Sequence, residues 1–210
     1  MQSYSERVSA PTEFAPERMK AFVDAVVAIA MTLLILPLLE AVSEASDEGT
    51  STAEFLAQHS GQLLSFLLSF VMIAMFWMEH HALYQHVERI TTPLLWINVA
   101  WMLTIVWLPV PTSMLGQMSG DPLQAFLYIG TLTMTQVSTL AGKLYFLRHP
   151  DCIDLDADAL RRGASGDIAA IILFAIALPI AAWVHVIGYF ALVLIAFVGP
   201  LERLLLRARG

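Results

Sequence analysis

From Ala21 to Leu39 the chain is apolar except for Asp24, the hydroxyl of Thr32 and the ring of Pro37. At about 1.5 Å per residue, a helical run of that length crosses a bilayer core of roughly 30 Å. Comparable runs recur along the 210 residues, 58% of which are hydrophobic and only 14% charged, with a mean hydropathy of +0.69. A soluble domain carries about a quarter charged residues, so the fold class is an all-α integral membrane protein. The apolar run is too long for the h-region of a cleaved leader, holds a carboxylate and follows a polar stretch, so it reads as a spanning helix.

Six spans are expected: Pro16 to about Leu39, Gln58–Tyr84, Pro93–Leu115, Pro122–Leu147, Ser165–Trp183 and Val186–Leu206. The domain plan is a polar arm at 1–15, a six-helix transmembrane domain at 16–206 and a basic tail at 207–210. Glu40–Glu54 reads as an acidic loop and Arg148–Gly163 as a polar one. The cations support this count. Arg7, Arg18, Lys20, Arg89, Lys143, Arg148, Arg161, Arg162, Arg203, Arg207 and Arg209 all fall on one side of a six-span arrangement. The opposite loops carry acids such as Glu44, Asp47, Glu48 and Asp121. The positive-inside rule then places both termini in the cytoplasm of a multi-pass cell-membrane protein. Trp77, Trp96, Trp107 and Trp183 stand near span ends as interfacial anchors, with Trp101 deeper.

A carboxylate inside a span is costly and needs partners. At about 100° per residue, Ile29, Leu33 and Leu36 form one stripe flanked by Ala25 and Thr32, with Phe22 and Arg18 leading into it. Asp24 lies about 140° from Ile29 on the same wheel, so it faces other helices. His80, His81 and Asn98 are expected at its depth, giving one interhelical polar cluster. Its role is to orient helix 1 or, through histidine titration near neutral pH, to act as a proton switch. By periodicity alone, an aliphatic stripe on a spanning helix is a surface that packs on protein or lipid.

Other constellations carry less. Asp154, Asp156 and Asp158 alternate as in a calcium loop, but Ala159 stands at the glycine position and Ser165 at the final glutamate position, so no metal site is expected. Nucleophilic triads, phosphate loops and nucleic-acid stripes are missing from the pattern, which argues against an enzyme and against nucleic-acid partners. The single cysteine, Cys152, excludes an intrachain disulfide.

The stretch Arg18-Met-Lys-Ala-Phe22-Val23-Asp24, followed by Ala-Val-Val-Ala-Ile-Ala-Met-Thr-Leu-Leu-Ile-Leu36, resembles the first-helix signature of the endosomal and lysosomal potassium channel family, transmembrane protein 175, in its bacterial form. Trp77-Met-Glu-His80-His81, Leu95-Trp96-Ile97-Asn98 and Leu108-Pro-Val-Pro-Thr112 extend the resemblance. It implies a homotetramer in the lipid bilayer conducting monovalent cations, potassium above all, with no cofactor. Helix 1 of each subunit would line a central path. Ile29, Leu33 and Leu36 then correspond to hydrophobic pore rings, Thr32 to a hydroxyl that influences cation preference, and Arg18, Asp24, His80, His81 and Asn98 to a polar network behind the pore. Such a throat, about 10 Å long, can gate by dewetting. Val23 replaces the family's usual serine, and Pro37 stands where an acid commonly follows. Rival readings are a proton leak or proton-coupled carrier using Asp24 and the histidines, and a non-conducting structural membrane protein.

Overall fold

The computed structural model describes residues 15–118 and 122–183. These form eight α-helices: α1 Pro16–Leu33, α2 Leu36–Asp47, α3 Thr52–Gln58, α4 Ser60–Tyr84, α5 Thr92–Trp107, α6 Pro109–Gln117, α7 Pro122–Arg148 and α8 Ala157–Trp183. The expected span Val186–Leu206, Arg7 and the last three arginines lie outside the described residues.

Prolines cut two of the expected spans. Pro37 cannot donate to the carbonyl of Leu33, so the chain tightens: Ile35 N–H reaches Thr32 O at 3.3 Å before helical bonding resumes. The bend falls at Leu34–Ile35, and α2 then carries the rod on to Asp47. This corrects the expectation of a loop from Glu40, because Glu40–Asp47 is helical and Thr52–Gln58 adds a further short helix. α3 begins with a capping box in which Ser51 and Glu54 satisfy each other's backbone donors. The Ser51 hydroxyl and backbone N–H hold the Glu54 carboxyl below its usual range. Pro109 likewise divides the third span at Leu108. A further correction concerns the loop before the fifth span, where α8 starts at Ala157, eight positions ahead of Ser165. Asp158 consequently lies in its first turn, paired with Arg161 at 3.4 Å.

Among the described residues, four segments have the length and apolarity to cross a membrane: Pro16–Asp47, Ser60–Tyr84, Thr92–Gln117 and Ala157–Ala181. The chain is thus a multi-pass membrane protein. α7 is equally long but studded with hydroxyls and amides, which it hides. Thr131, Gln136 and Thr139 are buried, and Thr131, Thr135 and Thr139 bond the carbonyls four residues back. It packs between α5 and α8, so its polar groups meet protein instead of lipid.

Trp101, Tyr128, Ile73, Ile105, Ile129 and Leu132 centre the main core. A second layer, with Leu83, Tyr84, Leu94, Phe146 and Ile153, closes the end where α4 and α7 finish. There Val87 and Ile153 pair across an isolated antiparallel bridge.

α4 and α6 approach closely at Gly116. A Cβ there would lie 2.6 Å from Ser65 Oγ and 2.9 Å from the Gln62 backbone Cα. Gly116→Ala should therefore destabilise by about 1–3 kcal/mol, outweighing the ~1 kcal/mol that alanine contributes to a helix, as a lowered midpoint of thermal unfolding in detergent.

Candidate pore helix and its polar support

α1 is two-sided. Met19, Val23, Val27, Ala30 and Leu34 are buried at spacings of four, four, three and four, a stripe packed toward α4, α5 and α6. Val23 is only 1% exposed and belongs to the main core, so the methyls that replace a serine there fill space between helices. The other side is open within the subunit: Phe22 and Ile29 are each 59% exposed, and Ala25, Thr32, Leu33 and Leu36 lie on the same uncovered surface. Thr32 donates its hydroxyl proton to the Ile29 carbonyl at 2.7 Å, which leaves its oxygen lone pairs as the group presented outward. Arg18 is exposed at the start of this face. Glu17 is not its counter-ion, because it pairs with Lys20 at 2.9 Å.

The expected single cluster around Asp24 is divided in two. Asp24 accepts a hydrogen bond from Trp77 Nε1 at 2.8 Å, so a tryptophan assigned to the membrane interface instead ties α4 to α1. The ring of His81 lies 5.6 Å from that of Trp77, on the exposed side of α4. His80 turns inward, 4% exposed, and donates from Nε2 to Asn98 Oδ1 at 2.8 Å. Asn98 in turn donates to Tyr84 Oη at 2.8 Å and to the Leu94 carbonyl at 2.9 Å. The His80 ring is sandwiched between Tyr84 and Trp101, with centroids at 4.0 and 4.3 Å. Depth along the sequence brings these residues to one level; only the rotation of α4 decides which of them meet. Trp77→Phe removes the Asp24 donor while keeping most of the packing. It should cost about 1.5–3 kcal/mol, the range for a hydrogen bond to a charged group, again read by thermal unfolding.

A third polar group escaped the sequence reading. Glu79 of α4, Lys143 and Gln136 of α7 and Asp167 of α8 meet inside the bundle. Lys143 counts among the cations of the cytoplasmic side in the sequence, yet it is 6% exposed. The signal was available in α8. Asp167 falls in register with Leu160, Ala164, Phe174, Ala177 and Ala181, the buried stripe of that helix.

The family model described as endosomal/lysosomal potassium channel TMEM175 matches residues 18–109, which contain most of α1, all of α4 and α5, and the polar supports of α1. Over those residues, 92 of the 210, the chain is similar to the TMEM175 family. A potassium channel of Streptomyces collinus is 33% identical over 100 residues, 48% of this chain and 47% of that protein. A potassium channel of Chryseobacterium is 30% identical over 99 residues, 47% and 48% of the two chains. The endosomal/lysosomal proton channel TMEM175 of Danio rerio is 26% identical over 133 residues, 63% of this chain and 25% of that one. The aligned stretch thus spans about half the length of the bacterial relatives. In fold, the chain resembles the crystal structure of a lysosomal potassium-selective TMEM175 homologue from Chamaesiphon minutus. The TM-score is 0.58 at 23% identity, covering 86% of this chain and 97% of that one. The TMEM175 family is a family of ion channels, not of enzymes.

Proposed function

We propose that this TMEM175-family chain is one subunit of a potassium-permeable cation channel in the cell membrane, with its termini in the cytoplasm. Four copies of α1 would surround the path. The observation that carries this reading is the uncovered side of α1. Large aliphatic side chains, a hydroxyl oxygen and a guanidinium share it, and no helix described within the subunit packs over it. Lipid accommodates Ile29, Leu33 and Leu36, and Arg18 at the start of the helix can reach the interface, but hydrocarbon gives the outward lone pairs of Thr32 no donor. A shared axis accommodates all of them. Ile29, Leu33 and Leu36 form stacked rings that exclude water when narrow, and Thr32 offers a ring of oxygens to a partly dehydrated cation. The Asp24–Trp77 and His80–Asn98 bonds hold α1, α4 and α5 in the rotation that keeps this side inward.

The test is the mass of the purified protein in detergent together with potassium flux from proteoliposomes under a potassium gradient. A tetramer that releases potassium is expected. A lone subunit, or a tetramer silent to potassium and other monovalent cations, would remove the proposal. Proton flux without potassium flux would replace it with a proton pathway.

A further inference from the structure

Lys143 Nζ lies 2.7 Å from Glu79 Oε1 and 2.7 Å from Asp167 Oδ1, so one ammonium bridges two carboxylates from different helices. Gln136 Nε2 donates to the same Asp167 oxygen at 2.9 Å and approaches Glu79 Oε2 at 3.5 Å. α8 makes room for the lysine: a Cβ on Gly163 would sit 3.3 Å from Lys143 Nζ and Cε. Asp167 is 1% exposed, and its Oδ2 is buried without a hydrogen-bond partner.

The charges do not balance. Two ionised carboxylates against one ammonium leave one negative charge in excess, with the Lys143 and Asp167 side chains buried and that of Glu79 28% exposed. Burying an unpaired charge is far more costly than neutralising it. The surrounding helices supply no second cation among the described residues. α5, which packs on α7, has no ionisable side chain; Arg161 and Arg162 of α8 are exposed. On α4, His80 is committed to Asn98, and Asp24 of α1 is committed to Trp77. Oδ2 itself is buried within the bundle. A donor is missing at that oxygen, and a positive charge is missing from the cluster.

We infer that the Glu79–Lys143–Asp167 cluster is a binding site for one exchangeable proton, shared between the two carboxyl groups and held on the Asp167 side while Lys143 stays charged. The proton supplies both missing things at once. It gives Oδ2 an O–H that can be donated toward Glu79, and it brings the cluster to neutrality. α8 is thereby joined to α4, the helix that carries Trp77 and His80, so loss of the proton would reach the supports of α1. This site is separate from the α1 path and does not depend on what that path conducts.

Infrared spectroscopy of the full chain in lipid bilayers tests the assignment through the carbonyl stretch of a protonated, buried carboxyl, identified by its shift in deuterated water. The wild type should show this band at neutral pH. Asp167→Asn and Glu79→Gln should each abolish it, because either change leaves one carboxylate paired with Lys143. Asp167→Asn should also keep the wild-type unfolding midpoint, since its amide reproduces the protonated carboxyl, whereas Asp167→Ala should lower it. Absence of the band in the wild type, or its persistence in both single variants, overturns the proposal. So does a loss of stability in Asp167→Asn as large as in Asp167→Ala, the mark of a purely ionic clamp. Should Asp167→Asn fail to fold, the proposal is overturned on that ground too. A cluster that instead takes up potassium would give no band, and a stability that rises with potassium concentration.

Discussion

Ile29→Ala should raise potassium flux from proteoliposomes several-fold without changing the oligomer. Ile29 is 59% exposed within the subunit, so truncation removes little packing from the bundle and the fold has small reason to change. On the proposed pore reading its effect belongs to the shared axis, where replacing a ring of large aliphatic side chains with methyl groups would widen the throat and favour its wetting. Leu33→Ala should act in the same direction but less strongly, since Leu33 is 38% exposed and partly engaged with its own subunit. A lipid-facing stripe predicts something different: unchanged flux in both variants. Comparing Ile29→Ala with Leu103→Ala sharpens the contrast, because Leu103 is 67% exposed on α5, away from the α1 stripe. Flux that rises for Ile29→Ala and stays constant for Leu103→Ala supports the pore assignment.

Asn98→Ala should be the most damaging of the single changes considered, lowering stability by about 2–4 kcal/mol. Asn98 is fully buried and uses both ends of its amide. Removing it leaves the His80 N–H and the Tyr84 hydroxyl without the partners they now have, and opens a hole between α4 and α5. Each orphaned buried polar group costs about 1–3 kcal/mol, and the lost packing adds to this. Thermal unfolding in detergent should show the drop. His80→Ala and the double variant complete a cycle whose coupling energy measures the His80–Asn98 bond itself. Unaltered stability in Asn98→Ala would mean that His80 finds another acceptor, and that the pair does not hold α4 against α5.

Much of this architecture was readable without coordinates. The length and apolarity of the runs located the bundle helices up to Trp183, and the wheel arithmetic separated the Ile29 stripe from Asp24. Those properties depend only on residue order and helical pitch, which do not change on folding. Boundaries were less legible. Apolarity stops at Glu40 but helical bonding does not, because acidic and small residues such as those up to Asp47 continue a helix readily once it has nucleated. For the same reason, the charged turn from Asp158 to Gly163 was taken for a loop.

What the sequence by itself determined is that this chain spans a membrane repeatedly and that one face of its first helix is distinct. Only the tertiary structure decided which polar residues meet. Glu79, His80 and His81 are consecutive on one strand of covalent bonds, yet successive helical positions are turned by about 100° and look toward different neighbours. One reaches Lys143 and Asp167, the next reaches Asn98, and the third stays at the surface beside Trp77. Partners 18 residues away for His80 and 64 for Glu79 are chosen by how helices pack, and packing depends on the shapes of all the side chains together.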